Sequence, residues 1–192
     1  MRNWHDLGYL QAGSARQQQA YAAIQRLGVL PLLRAYRPVL AGTIPLGIDL
    51  PGSDLDLICE VPAADFPVLG ALLRRHYGAQ PGFGLHETRW QQLPTLVCRF
   101  EAEGFAWEIF GQPRPVAQQQ AVRHLQVEYA VLQAGGEAWR QAVLQLRQQG
   151  LKTEPAFARL LGLPGDPYAA LLTLESLPPG ELRRYLAARP LP

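Results

Sequence analysis

The chain has 192 residues, 48% of them hydrophobic and 18% charged, with a formal net charge of +2 at pH 7. That balance suits a globular protein with one sizeable core, or one domain with a small appendage. So small a charge argues against binding duplex nucleic acid by electrostatics alone, and no apolar run reaches the roughly 18 residues needed to span a membrane.

The opening stretch, MRNWHDLGYLQAGSARQQQ, has no apolar segment of the signal-peptide kind, so a cytoplasmic location is expected. Residues 15–27 predict a helix with Ser14 as N-cap and with Tyr21, Ile24 and Leu27 on its core stripe. A short helix over 29–35 follows Gly28. Residues 38–44 predict a buried strand, 45–53 a loop and 54–61 a second strand. A helix over 65–78 ends on Gly78, a C-cap residue type. Residues 83–94 predict a bent strand. The stretches TLVCRF and FAWEIFGQ then flank EAEG, a hairpin turn signal.

After Pro115 the pattern is helical. Two long helical stretches meet at Gly135-Gly136, shorter ones flank PGDP, and PPGELRRYLAARPLP predicts a last helix. The expectation is an α/β part over 1–114 and a helical part over 115–192 packed on it. The overall class is α+β: a mixed sheet with flanking helices, then an all-α segment forming the other wall of a cleft. Cys59 and Cys98 sit in apolar runs and read as buried, reduced thiols with no metal-ligand spacing. Lys152 is the only lysine, so any phosphate clamp must be built mainly from arginine.

The chemistry gathers in GTIPLGIDLPGSDLDL, residues 42–57. A strand carrying Asp54 and Asp56 turns both carboxylates to one face of its sheet. Like charges held that close call for a cation between them. Glu108 is a lone charge in the apolar run FAWEIF, a costly place unless it is paired or binds metal. Three carboxylates from two strands make an oxygen-rich site suited to Mg²⁺, with Mn²⁺ as its substitute. Gly42 and Thr43 end the preceding strand, where backbone amides and a hydroxyl can approach phosphate oxygens.

Plain alternatives stand beside these readings. Asp54 and Asp56 could cap a helix or bond an arginine, and Glu108 could pair with Arg99. Arg99 and Glu108 share a face if the EAEG loop has two or four residues, and lie on opposite faces if it has three. Arg99 is then either a phosphate contact or a partner of Glu108. His86 and Arg89 could line a cleft or lie on a solvated face. Arg123, with His124 beside it, opens a helix on which Arg123, Glu128 and Tyr129 could reach a nucleotide or its acceptor, or form an exposed helix face. Lys152 could bind a phosphate, or Thr153 could simply cap the next helix with Pro155 early in it. The tryptophans read as packing residues, with Trp107 facing away from Glu108.

The stretch resembles the polymerase-beta-like nucleotidyltransferases. Many small members read Gly-Ser-x-Ala-x-Gly, five residues, then Ser-Asp-x-Asp-Leu; Gly42, Gly47, Ser53, Asp54, Asp56 and Leu57 fall in that register. Thr43 replaces the usual serine, and Pro45 the usual alanine where a local helix starts. FGQPRPV, VRH at 122–124 and GLKTEPAFARLLGL at 150–163 resemble one bacterial family of domains of unknown function within that superfamily. The resemblance implies Mg²⁺-dependent transfer of a nucleoside monophosphate from a nucleoside triphosphate to a hydroxyl acceptor. Asp54, Asp56 and Glu108 would hold the metal and act in catalysis. Gly42, Thr43 and Ser53 would face the triphosphate, with Arg99, Arg123 and Lys152 as further phosphate contacts. The rival readings are a nucleotide-sensing module, a partner-binding protein that uses its helical half, and RNA binding by an arginine-lined cleft, the last disfavoured by the low net charge.

Overall fold

A computed structural model describes residues 2–189 and Leu191. The first helix starts as its sequence demands. Ser14 accepts a hydrogen bond from the Gln17 amide while the Gln17 side chain accepts one from the Ser14 amide, a reciprocal cap on α1 (Ala15–Leu27). Ile24, Ala20 and Ala23 are buried, and Tyr21 and Leu27 pack at the edge of the same cluster. Gly28, with φ 66, ends α1, and the chain continues as α2 (Val29–Leu33) and a 3-10 turn over Arg34–Tyr36.

Five strands form one mixed sheet in the order β1 (Val39–Ala41), β2 (Leu55–Glu60), β5 (Phe105–Gln112), β4 (Leu93–Ala102), β3 (Gly84–Trp90). Only the β2–β5 pair is parallel. Side chains alternate across each strand, so Leu55, Leu57 and Cys59 of β2, Trp107 and Ile109 of β5, and Leu96, Cys98 and Phe100 of β4 share one face. They form a single cluster with α1, α2 and α3 (Phe66–Tyr77). Trp107 stacks on Phe100 and donates its indole N–H to the Ala102 carbonyl at 2.9 Å, which satisfies the one polar atom it buries. Both cysteines are free and buried, and burial pushes each thiol up to about 12.

The segment expected as one bent strand over 83–94 is a hairpin instead. β3 ends at Trp90, and Gln91 and Gln92 turn the chain with φ 50 and 67. A two-residue turn of this hand favours glycine or asparagine, and a Gln-Gln pair carries neither signal. Gly78 is the C-cap of α3, as expected, in a helical conformation (φ −59). One cap differs. The N-cap of α5 (Thr153–Leu161) is Lys152 with no side-chain bond, so Thr153 is already the first helical residue.

The chain divides into two compact units, Met1–Gly47 with Gly52–Val122, and Ile48–Pro51 with Arg123–Pro192. In the second unit α4 runs over Gln120–Gln148 with a break at Gly136 (φ 68, ψ −156), beginning in the tail of the first unit. α5, α6 (Pro167–Leu172) and α7 (Pro179–Ala187) follow, α6 capped by the Asp166 side chain. Pro190 and Pro192 of the expected last helical stretch lie outside the described residues. Among the described residues no helix is long and apolar enough to cross a membrane.

Candidate functional site

The sheet face opposite the packed helices carries a row of charged and small residues in register. Arg99 of β4 lies across from Glu108 of β5, Glu108 across from Asp56 of β2, and Asp56 across from Ala41 at the end of β1. The parallel β2–β5 pairing sets Asp56 and Glu108 side by side, and Asp54, just ahead of β2, is near enough for its charge to act on Asp56. The β4–β5 loop is two residues, Glu103 and Gly104, both at positive φ (55 and 78). Arg99 and Glu108 therefore share a face, and their side chains meet: Arg99 Nε and Nη2 lie 2.6 and 2.5 Å from Glu108 Oε2.

Asp56 is half-buried, and its carboxyl is pushed up to about 7. Burial is the main cause, the Asp54 and Glu108 charges add to it, and Arg99 works against it. The anticipated repulsion between carboxylates is thus present, and Arg99 is the side chain that offsets part of it.

Gly42 shapes the space beside Asp56. Its φ is 79, and a Cβ built there would lie 2.6 Å from Asp56 Oδ2. Glycine is required twice, once by the backbone and once by the carboxylate. Gly42→Ala is expected to cost about 2 kcal/mol of stability and to displace Asp56. Urea unfolding measures this, and an alanine variant as stable as the wild type would refute it.

After Gly42 the chain makes two consecutive tight turns, Leu46 N to Thr43 O and Gly47 N to Ile44 O, where the resemblance places the start of a helix. Thr43 Oγ1 donates to Ser53 Oγ at 3.2 Å, which ties the two ends of the loop together. Gln17, which sequence reading did not single out, holds this turn: its Nε2 donates to the Ile44 carbonyl at 2.8 Å. The visible signal was the Ser-x-x-Gln spacing of the capping box, which fixes the Gln17 carbonyl oxygen and leaves its amine free to reach the turn.

The first unit thus brings together Asp54, Asp56, Glu108, Arg99, Gly42, Thr43 and Ser53. His86 and Arg89 of β3 are exposed, and Arg89 donates to the Gln92 carbonyl in the hairpin turn. Arg123 and Lys152 belong to the second unit. Arg123 grips Glu175 with Nε and Nη2, the closest contact 2.6 Å, and this holds the Glu175 carboxyl below its ordinary range. Lys152 is exposed at the start of α5. In the same unit His124 lies buried between the Tyr168 carbonyl (2.9 Å) and Glu154 (3.3 Å). Glu128, one helical turn on, is buried with Oε1 lacking a hydrogen-bond partner, and its carboxyl is raised well above the ordinary range, first by burial and then by Glu154.

The donor set suits a hard divalent cation: carboxylate oxygens, one of them at a cradle that a Cβ would fill. Among the described residues no three His, Cys, Asp or Glu side chains stand together as a ready metal site. Asp54 is exposed and Asp56 half-buried, whereas Glu108 Oε2 is bonded to Arg99.

The profile of a family described as "Domain of unknown function (DUF4269)" matches residues 22–174. No curated protein matches the chain. Among solved structures, the chain is similar to the RNA terminal uridylyl transferase Cid1 with a TM-score of 0.53 and 13% identity, over 84% of this chain and 49% of that one. Cid1 with MgGTP bound gives a TM-score of 0.51 and 13% identity over 82% and 48%. A cytoplasmic RNA terminal U-transferase gives 0.51 and 14% over 78% and 42%. The chain spans less than half the length of these proteins. At such identity the similarity establishes the fold: a nucleotidyltransferase-like mixed sheet with flanking helices.

Proposed function

The chain belongs to the DUF4269 family, and from the carboxylates on its sheet we propose that it is a Mg²⁺-dependent nucleotidyltransferase, with Mn²⁺ able to substitute. It would move a nucleoside monophosphate from a nucleoside triphosphate to a hydroxyl acceptor. One observation carries this reading: Asp56 stands opposite Glu108 across parallel strands, two residues from Asp54, with Gly42 leaving the space beside its Oδ2 that a Cβ would fill. The likeness in fold to Cid1, one of whose structures holds MgGTP, supports it.

Asp54 and Asp56 would hold the metal, and Glu108 would complete its shell. When bound, the ion neutralises charge on the triphosphate and on the attacking oxygen. Gly42 borders the Asp56 carboxylate, and with Thr43 and Ser53, bonded to each other, it would offer backbone amides and hydroxyls to phosphate oxygens. The acceptor oxygen forms a bond to the α-phosphorus, and the bond from that phosphorus to the oxygen bridging to the β-phosphate breaks. Pyrophosphate leaves, and the hydroxyl proton would pass to a carboxylate, for which Glu108 is the candidate because the third acid of polymerase-like members helps deprotonate the acceptor. A small molecule, a protein side chain or a transfer RNA end would each supply such a hydroxyl. The hold of Arg99 on Glu108 favours a second reading, a nucleotide-binding module with little turnover.

The test is a thermal-shift series with each ribonucleoside triphosphate, with and without Mg²⁺. The expected outcome is a rise in melting temperature that requires metal and nucleotide together, about 3 kcal/mol of stabilisation at a hundredfold excess over Kd. No rise with any triphosphate at millimolar concentration would sink the reading.

A further inference from the structure

We propose that Arg99 is an internal counter-ion that competes with the divalent cation for Glu108, and that cation binding frees its guanidinium for the phosphates of the nucleotide. This rests on the metal-dependent reading above. Three observations converge on it. Glu108 is the third carboxylate of the row, yet its Oε2 is bonded by both Nε and Nη2 of Arg99, so the row holds its own cation. Among the described residues no three metal-ligating side chains stand together as a ready site. And the pair is built to exchange: the Arg99 side chain is 64% exposed and that of Glu108 26%.

An ion pair so open to water is weak, and a divalent cation already seated on two carboxylates offers Glu108 a stronger partner. Arg99 also has room to leave. Its neighbour across β3 is Gly84, where a Cβ would meet nothing within 4 Å. Once released, the guanidinium lies at the end of the carboxylate row with a planar fork of donors, the geometry that phosphate oxygens accept. The same side chain thus covers the third ligand in the empty protein and is available to the triphosphate in the loaded one.

The experiment is Mn²⁺ titration followed by the electron paramagnetic resonance of the free ion, without nucleotide, so no turnover is needed. The proteins are wild type, Asp56→Asn, Arg99→Gln, Glu108→Gln and the Arg99→Gln/Glu108→Gln double variant, each checked for folding by circular dichroism. Arg99→Gln is expected to bind Mn²⁺ about 3- to 5-fold tighter than wild type, the size of a partly exposed ion pair. The gain is expected to vanish in the Glu108→Gln background. In the presence of Mn²⁺, Arg99→Gln is expected to bind the triphosphate more weakly, by about 10-fold.

Unchanged or weaker Mn²⁺ binding by folded Arg99→Gln overturns the proposal. An equal gain in the Glu108→Gln background overturns it too, because the effect would then be a general field. If wild type binds no Mn²⁺, or binds it as well with Asp56→Asn, the metal-dependent reading itself fails and this proposal falls with it. Should Arg99→Gln not fold, Arg99→Lys, which keeps the charge and loses the fork, takes its place; a smaller tightening is expected, and none overturns the proposal.

Discussion

Asp56→Asn is expected to yield a protein that melts higher than the wild type and no longer responds to Mg²⁺ and nucleotide. The stability half follows from proton linkage. The Asp56 carboxyl is raised from 3.8 to about 7 in the folded chain. Below pH 3.8 both folded and unfolded chains hold the proton, and the residue costs nothing. Between 3.8 and about 7 the unfolded chain gives the proton up first, so folding stability falls as pH rises, and above that the loss is complete. A displacement of that size corresponds to a ceiling of roughly 4 kcal/mol. Solvent contact at the half-buried carboxylate cuts this to about 2 kcal/mol, a gain of about 4 to 8 °C for a chain of this length.

The functional half follows from the row. An amide at position 56 keeps the shape and removes the charge that the cation needs, so turnover is expected to drop at least about 100-fold. Melting curves with and without Mg²⁺ and triphosphate read both halves at once. A variant less stable than the wild type would mean that Asp56 is a structural partner, and a metal-dependent shift that survived would take Asp56 out of the site.

Glu128→Gln is expected to stabilise the chain at neutral pH by about 2 kcal/mol, with no link to nucleotide. Its carboxyl is buried with one oxygen unpartnered; burial comes first among the causes that raise it, the Glu154 charge second, and Arg147 opposes them. The sign is again that of a raised carboxylate. The wild type loses stability as pH climbs past the ordinary value of 4.5, because the unfolded chain releases a proton that the folded chain keeps. The gain from Glu128→Gln is therefore expected to be small at pH 4 and to grow toward pH 8, which urea unfolding across that range measures. A gain independent of pH would mean that Glu128 is not the titrating group.

The parts of the site that were legible in the sequence are those whose chemistry is written in local spacing. Asp56 shows its face through alternation, with Asp54 close by just ahead of the strand, Glu108 stands out as a charge in an apolar strand, and Gly42 follows a strand beside them. The pairing of Arg99 with Glu108 was narrowed to a question of loop length and no further, because residue types do not state whether a turn has two or three members. The Gln91-Gln92 hairpin was missed because its turn is driven by strand pairing on either side, not by turn-forming residues. Glu128 read as a residue that could reach a nucleotide or lie on an exposed helix face, and it is buried instead. Its burial depends on the packing of helices far apart in sequence, which periodicity does not report. The grouping of Ile48–Pro51 with residues beyond Val122 is likewise a long-range fact, made concrete by Arg147 donating to the Ile48 carbonyl.

The two-residue turn at Glu103 and Gly104 has a consequence for how this protein can vary. Everything between Arg99 and Glu108 works as a spacer whose parity matters more than its spelling. Point changes in the turn leave the tally intact, provided both positions still accept the left-handed backbone. A single insertion or deletion would re-index the strand and point one of the two charges into the hydrophobic layer. Divergence in this stretch should therefore proceed by substitution, or by gaps of two, much as a reading frame tolerates only certain steps.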